Sequence, residues 1–432
     1  MFGFRGGHVQ LKKLAKVTVT LGCLLIAGHA FAQAESFSPP GSTIPPTLFG
    51  LHIHRASTTT PWPSVPFSTW RLCETSTIWN WLEPKKGEWH FEALDKFVTL
   101  AELNKKDVIL CLGITPSWAS SRPAETAVWG PGTASVPKNL DDWRNYVRVV
   151  ANRYKGRIRY YEIWNEPNLV MFYTGNVGQM VALSGEAYKV LKEVDPSAFV
   201  VSPSATGLGF SWTDEFLAKG GGRFADYIGY HFYVTPLQPE AMAESIIKLN
   251  SIMMKYNVAS RQLWNTESGW FMQNHNSVVA ANPAPGQINS KVLTDEEASA
   301  FLARAYIINW GLGVQRLIWY AWDDQEMGLT EADGKTVKIS AAAYTRIHDW
   351  LVGARMVSLS SDNHAWTCHI ERDHGYSAWI VWHQNGTTTF DIPKDWRVKS
   401  LSELTGKVRP FSIRETKVAI GISPLLLENV SR

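Results

Sequence analysis

The stretch Tyr161-Glu162-Ile163-Trp164-Asn165-Glu166-Pro167-Asn168 sets an apolar run directly before Asn-Glu-Pro. The run Ile158–Asn165 is short and rich in aromatic and β-branched residues, which suits a buried strand. Pro167 closes it, because proline offers no amide to a sheet ladder. Glu166 is therefore expected at a strand end, where a carboxylate can meet both core and solvent. Seven further runs have the same character: Leu48–His54, Thr69–Cys73, Val108–Ile114, Phe199–Pro203, Tyr227–Tyr233, Gln262–Glu267 and Arg316–Trp322.

Helical segments lie between these runs. Glu92–Lys105 puts Leu94, Phe97, Val98, Ala101 and Leu103 on one broad face, and Leu140–Tyr154 does so with Trp143, Val147, Val150 and Tyr154. Ala241–Tyr256 carries Ile246, Ile247, Leu249 and Met253. Thr294 followed by Glu297 is a capping box that opens Asp295–Trp310. Strand and helix thus alternate from Thr47 to about Trp350, which predicts an α/β fold, a (β/α)8 TIM barrel over residues 47–350. A doubly wound open sheet is the alternative, but no G-x-G-x-x-G follows the first run. In such barrels the active site lies at the C-terminal strand ends. The segments Ala119–Asn139 and Ser268–Val292 follow the third and seventh runs and are long enough to wall a cleft there.

The flanks read differently. Residues 351–432 hold the short strand-like runs Ala365–Glu371, Tyr376–His383, Thr387–Ile392, Lys407–Ile413 and Lys417–Ile422, with Asn385-Gly386 as a hairpin signal. They predict a small antiparallel β-sandwich. Residues 33–46, rich in Ser and Pro, read as a linker. In residues 1–32, Arg5, Lys12, Lys13 and Lys16 precede the apolar run Val17–Gly28, and Ala30-Phe31-Ala32 is an A-x-A site. This order predicts a signal peptide and a secreted or periplasmic chain. The run is shorter than a membrane span needs, so no stable membrane association is expected after cleavage.

Composition narrows the partners. The 432 residues are 45% hydrophobic and 19% charged, which is globular rather than disordered, fibrous or coiled-coil. The net charge of +3 is too small to argue for nucleic acid. Without the four basic residues of the signal, 38 basic face 39 acidic residues, a net charge of −1. The remaining cysteines, Cys73, Cys111 and Cys368, allow at most one disulfide, and Cys73 and Cys111 sit in core runs as buried thiols. No cysteine–histidine cluster calls for zinc, and no metal or cofactor is expected. The 20 tryptophans are unusual. Trp118, Trp164, Trp264, Trp270 and Trp322 fall at or near run ends, where flat faces suit sugar rings.

Two carboxylates stand out by position. Glu166 ends the fourth run, and Glu267 ends the seventh in Leu263-Trp264-Asn265-Thr266-Glu267-Ser268-Gly269-Trp270. Across a barrel mouth they would face over one cleft. Two opposed carboxyls are what glycoside hydrolysis needs: one protonates the leaving oxygen, the other attacks the anomeric carbon or activates water.

This constellation resembles the clan A retaining glycoside hydrolases, and within them family 39 and related exopolysaccharide glycosidases. Trp164-Asn165-Glu166-Pro167 is similar to their acid/base motif and Thr266-Glu267-Ser268-Gly269-Trp270 to their nucleophile motif. Leu82-Glu83-Pro84-Lys85-Lys86-Gly87-Glu88-Trp89 is similar to their E-P-x-x-G stretch after strand two. The resemblance spans residues 47–350. It implies Glu166 as general acid and then base, with a raised pKa, and Glu267 as ionised nucleophile. It implies Asn165 on the sugar 2-hydroxyl, and Tyr233 and His231 beside the nucleophile. It further implies Arg71 as the cation that keeps the nucleophile ionised, unless Arg71 instead neutralises Glu162 or Glu74. Trp322 would floor the reacting sugar, Trp118 would wall the cleft, and His54 or His52 would point inward from strand one. Asp323 and Asp324 would bind hydroxyls or solvate the rim.

The expected function is hydrolysis of β-glycosidic bonds in a polysaccharide or oligosaccharide, with an endoglycosidase on bacterial exopolysaccharide as the leading form and a monomer as the expected state. An exo-acting β-xylosidase-like enzyme is one alternative. A non-catalytic glycan-binding protein on a barrel scaffold is the other.

Overall fold

The computed structural model describes residues 34–431 apart from 57, 74–75, 277–290 and 413. The expected signal segment 1–32, Glu74 and much of the loop after the seventh run lie outside the described residues.

All eight expected strands form: β1 (Phe49–His52), β2 (Thr69–Leu72), β3 (Asp107–Leu112), β4 (Tyr160–Ile163), β5 in two pieces (Phe199–Val201 and Ala205–Thr206), β6 (Ile228–His231), β7 (Leu263–Ser268) and β8 (Val314–Trp319). They pair in parallel and in sequence order. The sheet closes on itself, because β8 pairs with β1 through Leu317 and Phe49 while β5 pairs with both β4 and β6. Their residues are buried almost throughout, as strands covered on both faces must be. The helices Glu92–Leu103, Leu140–Arg153, Ala241–Lys255 and Asp295–Gly311 lie where the apolar spacing places them.

Helix Asp295–Gly311 begins with both bonds of its capping box, the Glu297 amide donating to Thr294 Oγ1 and the Thr294 amide to Glu297 Oε2. From Ala298 to Gly311 every residue is buried. A helix buried all round needs partners all round. The barrel supplies one side and a β-sheet the other. At Gly311 a Cβ would stand 2.4 Å from Leu359 Cδ2, so glycine lets helix and strand meet closely without moving that leucine.

That sheet is antiparallel and seven-stranded, in the order Glu35–Phe37, Arg355–Asp362, Ala365–Arg372, Tyr376–His383, Leu425–Glu428, Ser400–Glu403 and Val408–Pro410. One face, with Trp366, Cys368, Ile370, Ile380, Trp382 and Leu426, belongs to the same core as the barrel. The other, with Trp379, Val381, Leu401 and Leu427, packs under a two-stranded ribbon of Thr388–Asp391 and Lys417–Ile420. At the join, buried Arg304 donates from Nε to Glu240 Oε1 at 2.7 Å, and Trp382 Nε1 donates to the same oxygen at 2.8 Å.

Two expectations change here. Residues 35–37 are not linker but an edge strand, paired with Leu359–Ser361. Asn385-Gly386 makes a turn, with Gly386 at φ +74°, but not a hairpin. The chain leaves Tyr376–His383 there and crosses to the ribbon, where Thr388 pairs with Ile420. The strand Arg355–Asp362 went unread because a register shift between Met356 and Ser358 breaks its alternation. Cys73, Cys111 and Cys368 are buried, and none of them is in a disulfide. Among the described residues no helix is long and apolar enough to cross a membrane.

Candidate active site

Barrel closure gathers the ends of β1, β2, β4, β6 and β7 around one guanidinium. Arg71 on β2 is fully buried. Its Nη1 donates to Glu267 Oε2 at 2.7 Å, and its Nη2 to Asn165 Oδ1 at 2.8 Å. Its Nε donates to Glu162 Oε2. The two partners expected as alternatives, Glu267 and Glu162, are thus both present.

Nη1 of Arg71 also lies 3.0 Å from His52 Nε2. A guanidinium only donates, so Nε2 must accept and His52 is neutral with its proton on Nδ1. Burial first, and then Arg71, hold its pKa well below the usual imidazole range.

Glu166 follows β4 in a backbone turned twice into the left-handed region, with Trp164 at φ +60° and Glu166 at φ +44°. The turn carries the carboxylate out over the mouth. Its Oε1 lies 2.9 Å from His231 Nδ1 on β6, and the same nitrogen is 4.0 Å from Glu267 Oε1. Tyr233 donates from Oη to Glu267 Oε1 at 3.0 Å. Carboxylate oxygens of Glu166 and Glu267 lie within 4.8 Å of each other, with His231 Nδ1 inside the same limit. Three such groups are near enough to grip a cation by geometry alone. Here Arg71 already stands against Glu267 as its positive partner.

Burial pushes the Glu267 carboxyl above the usual carboxylate range, and the Glu166 charge adds to it, against His231, Arg71 and the Tyr233 hydrogen bond. Tyr233 is driven well above the ordinary phenol range by burial and by Glu267, so it remains a donor.

The structure relocates three other expectations. Of His54 and His52, one was expected to point inward, and β1 stops at His52, where the alternation of faces stops with it. His52 joins Arg71, whereas His54 Nδ1 turns to Asp323 at 3.3 Å. Asp323 binds no open hydroxyl site, since its carboxylate accepts from the amides of His54 and Arg55 at 2.7 and 2.8 Å. Burial pushes it up, but His54 and its other donors pull it down to about 2. Asp324 caps the next turn through the Glu326 and Met327 amides.

Trp322 is buried, at 2% exposure, and offers little face to a ligand. The half-exposed ring at the end of β8 is Tyr320, with its centroid 5.0 Å from His52 and 5.2 Å from His54. Trp164, Trp264 and Trp270 are core as well. Tryptophan excess in this chain is mainly core packing. Trp118 is half-buried, donates to the Glu83 carbonyl at 2.8 Å and meets Trp79 edge-on. The E-P-x-x-G stretch is a turn built on Glu83, which accepts from Gly87 N and Trp79 Nε1, both at 2.8 Å, with Gly87 at φ +80°.

Sequence reading left Glu162 and Tyr320 without a role of their own. Glu162 was detectable as an acidic residue inside an apolar run, four positions before Glu166. Tyr320 carried no such signal, because its placement depends on where β8 stops.

No family model matches the chain. Over 161 residues it is 27% identical to a β-xylosidase of Geobacillus stearothermophilus, covering 35% of this chain and 32% of that protein. Over 93 residues it is 33% identical to an endo-1,4-β-xylanase of Claviceps purpurea, covering 22% of this chain and 26% of that one. The chain thus spans about a third or less of the curated relatives it matches. A family 39 glycoside hydrolase from Bacteroides cellulosilyticus superposes with a TM-score of 0.70 at 19% identity, over 89% of this chain and 81% of that one. The chain shares the fold of that family 39 glycoside hydrolase.

Proposed function

We propose that the chain is a retaining β-glycoside hydrolase, with Glu166 as acid/base and Glu267 as nucleophile. The observation that carries this is the carboxylate pair within 4.8 Å, with Arg71 on one member only. Retaining enzymes hold their carboxyls about 5–5.5 Å apart, whereas inverting ones leave about 6.5–9.5 Å for a water. Arg71 and Tyr233 both donate to Glu267 and so favour the negative charge there. Glu166, whose carboxylate faces His231, is then the member left to act as the acid.

The chemistry follows. Glu166 gives its proton to the glycosidic oxygen as the bond to the anomeric carbon breaks. Glu267 attacks that carbon and forms a glycosyl ester. Glu166, now ionised, takes a proton from water, the water oxygen attacks the same carbon, and Glu267 leaves as carboxylate. Arg71 takes the carbonyl oxygen of Asn165, which turns the amide NH2 the other way as the donor for a sugar 2-hydroxyl.

The substrate class is a β-linked polysaccharide or oligosaccharide. Both a β-xylosidase and an endo-xylanase are among the similar proteins, so similarity favours neither exo nor endo cleavage. Endo attack on a bacterial exopolysaccharide is the finer form of the proposal, with a monomer exported by residues 1–32. The alternative, a barrel that binds glycan without turnover, has no use for an arginine committed to one carboxylate of a close pair.

The test is a panel of β-linked polysaccharides and aryl β-glycosides, with product sizes recorded. A ladder of oligomers means endo cleavage, and monomer or dimer alone means exo. Glu267→Ala and Glu166→Gln should each abolish hydrolysis of unactivated substrates while the protein stays folded. Activity surviving in both variants would sink the assignment.

A further inference from the structure

Among the described residues, Glu162 is a carboxylate inside the barrel that the proposed chemistry does not use. It is fully buried on β4, below the mouth. Its Oε2 accepts from Arg71 Nε. Its Oε1 accepts from Ser204 Oγ at 2.5 Å and from Thr266 Oγ1 at 2.7 Å. Ser204 stands between the two pieces of β5 and Thr266 stands on β7, next to Glu267. Both oxygens are therefore occupied, and from three strands.

Arginine is a planar fork, so fixing one edge fixes the others. Glu162 holds the Nε edge. The Nη1 corner then meets Glu267 and His52, and the Nη2 corner meets Asn165. We propose that Glu162 is a positioning residue: it sets the pose of Arg71, and through Arg71 the pose of the nucleophile and of the asparagine that reads the sugar. A purely structural counter-ion would need only to neutralise Arg71. The two hydroxyl clamps on Glu162 hold it in direction as well. The inference rests on the glycosidase reading above.

Its charge matters too. The titratable groups around Glu267 are Arg71, His52, Glu166, His231 and Tyr233, with Tyr320 behind Tyr233. Around Glu162 they are Arg71 and His231, with Cys73 and Cys111 also facing Arg71. Burial pushes Glu162 up, but Arg71, His231 and the clamps outweigh it and keep it ionised. It thus competes with Glu267 for one cation, and a second negative charge nearby makes the nucleophile harder to ionise.

The experiment compares wild type, Glu162→Gln and Ser204→Ala on one aryl β-xyloside and one aryl β-glucoside across the pH range. Glu162→Gln keeps the shape and removes the charge. It should lower kcat about tenfold with KM within a factor of two, and move the acid limb of kcat/KM down by about one pH unit. Ser204→Ala loosens one clamp without touching Arg71, and should lower kcat several-fold with KM unchanged. Should Glu162→Gln fail to fold, Ser204→Ala decides. A shift in melting temperature with both limbs and kcat unchanged would overturn the positioning role. Absence of hydrolysis by wild type on both glycosides and on every polysaccharide of the panel would instead overturn the glycosidase reading beneath it.

Discussion

His231 Nδ1 lies 2.9 Å from Glu166 Oε1 and 4.0 Å from Glu267 Oε1, so a single buried imidazole stands between the two carboxylates. It orients the proposed acid toward the leaving group. His231→Ala should therefore cost most where proton donation matters. We expect kcat/KM to fall about 100-fold on alkyl β-glycosides and much less on dinitrophenyl glycosides, whose leaving group needs no proton. Equal losses on both series would show that His231 acts on something other than the acid.

The elevation of Glu267 predicts the acid side of the pH profile. The nucleophile must be ionised, and activity is lost as pH falls through its folded pKa. Burial raises that pKa above 4.5, so the acid limb should lie above an ordinary glutamate's. Tyr233→Phe removes a hydrogen bond to the charged form, at 3.0 Å. That should raise the pKa further and move the limb to higher pH, with kcat/KM at neutral pH down roughly 10- to 100-fold, the worth of a hydrogen bond to a charged group. Initial rates from pH 3 to 9 check both points, and a limb that moves down would contradict the assignment.

Gly269 follows the proposed nucleophile by two residues and is required sterically. A Cβ there would sit 2.2 Å from the Tyr320 carbonyl oxygen, which is backbone and cannot swing away. Gly269→Ala should displace the end of β7 or β8 and lower kcat/KM about 100-fold, as a shift near 1 Å at reacting groups does. Melting should be only slightly lower, which a thermal scan beside the kinetics would reveal.

The join between barrel and sandwich should behave as one structure. Glu240 is fully buried and accepts from both Arg304 and Trp382. Glu240→Ala leaves Arg304 buried without its partner, at a cost of about 3–5 kcal/mol by chemical denaturation. Activity per folded molecule should stay near wild type. Deleting residues 352–432 uncovers the apolar outer face of helix Asp295–Gly311 and should give insoluble protein. A soluble, cooperatively folding truncation would show that the barrel stands without its sheet.

Local patterning in the sequence determined the eight barrel strands, four of the helices between them and the two strand-end glutamates, because a strand announces itself by its own short apolar run. It did not determine which histidine of His52 and His54 turns inward, which aromatic of Tyr320 and Trp322 meets the mouth, or that Arg71 serves Glu162 and Glu267 together. Those depend on the residue at which each strand stops and on groups far apart in the chain. Arg71 and Glu267 are 196 positions apart. The same holds for the sheet that takes Glu35–Phe37 as its edge, since no local pattern names a partner more than three hundred residues away. Side-chain direction is local, whereas the identity of a neighbour is decided only when the barrel closes and burial forces each polar group to find its complement.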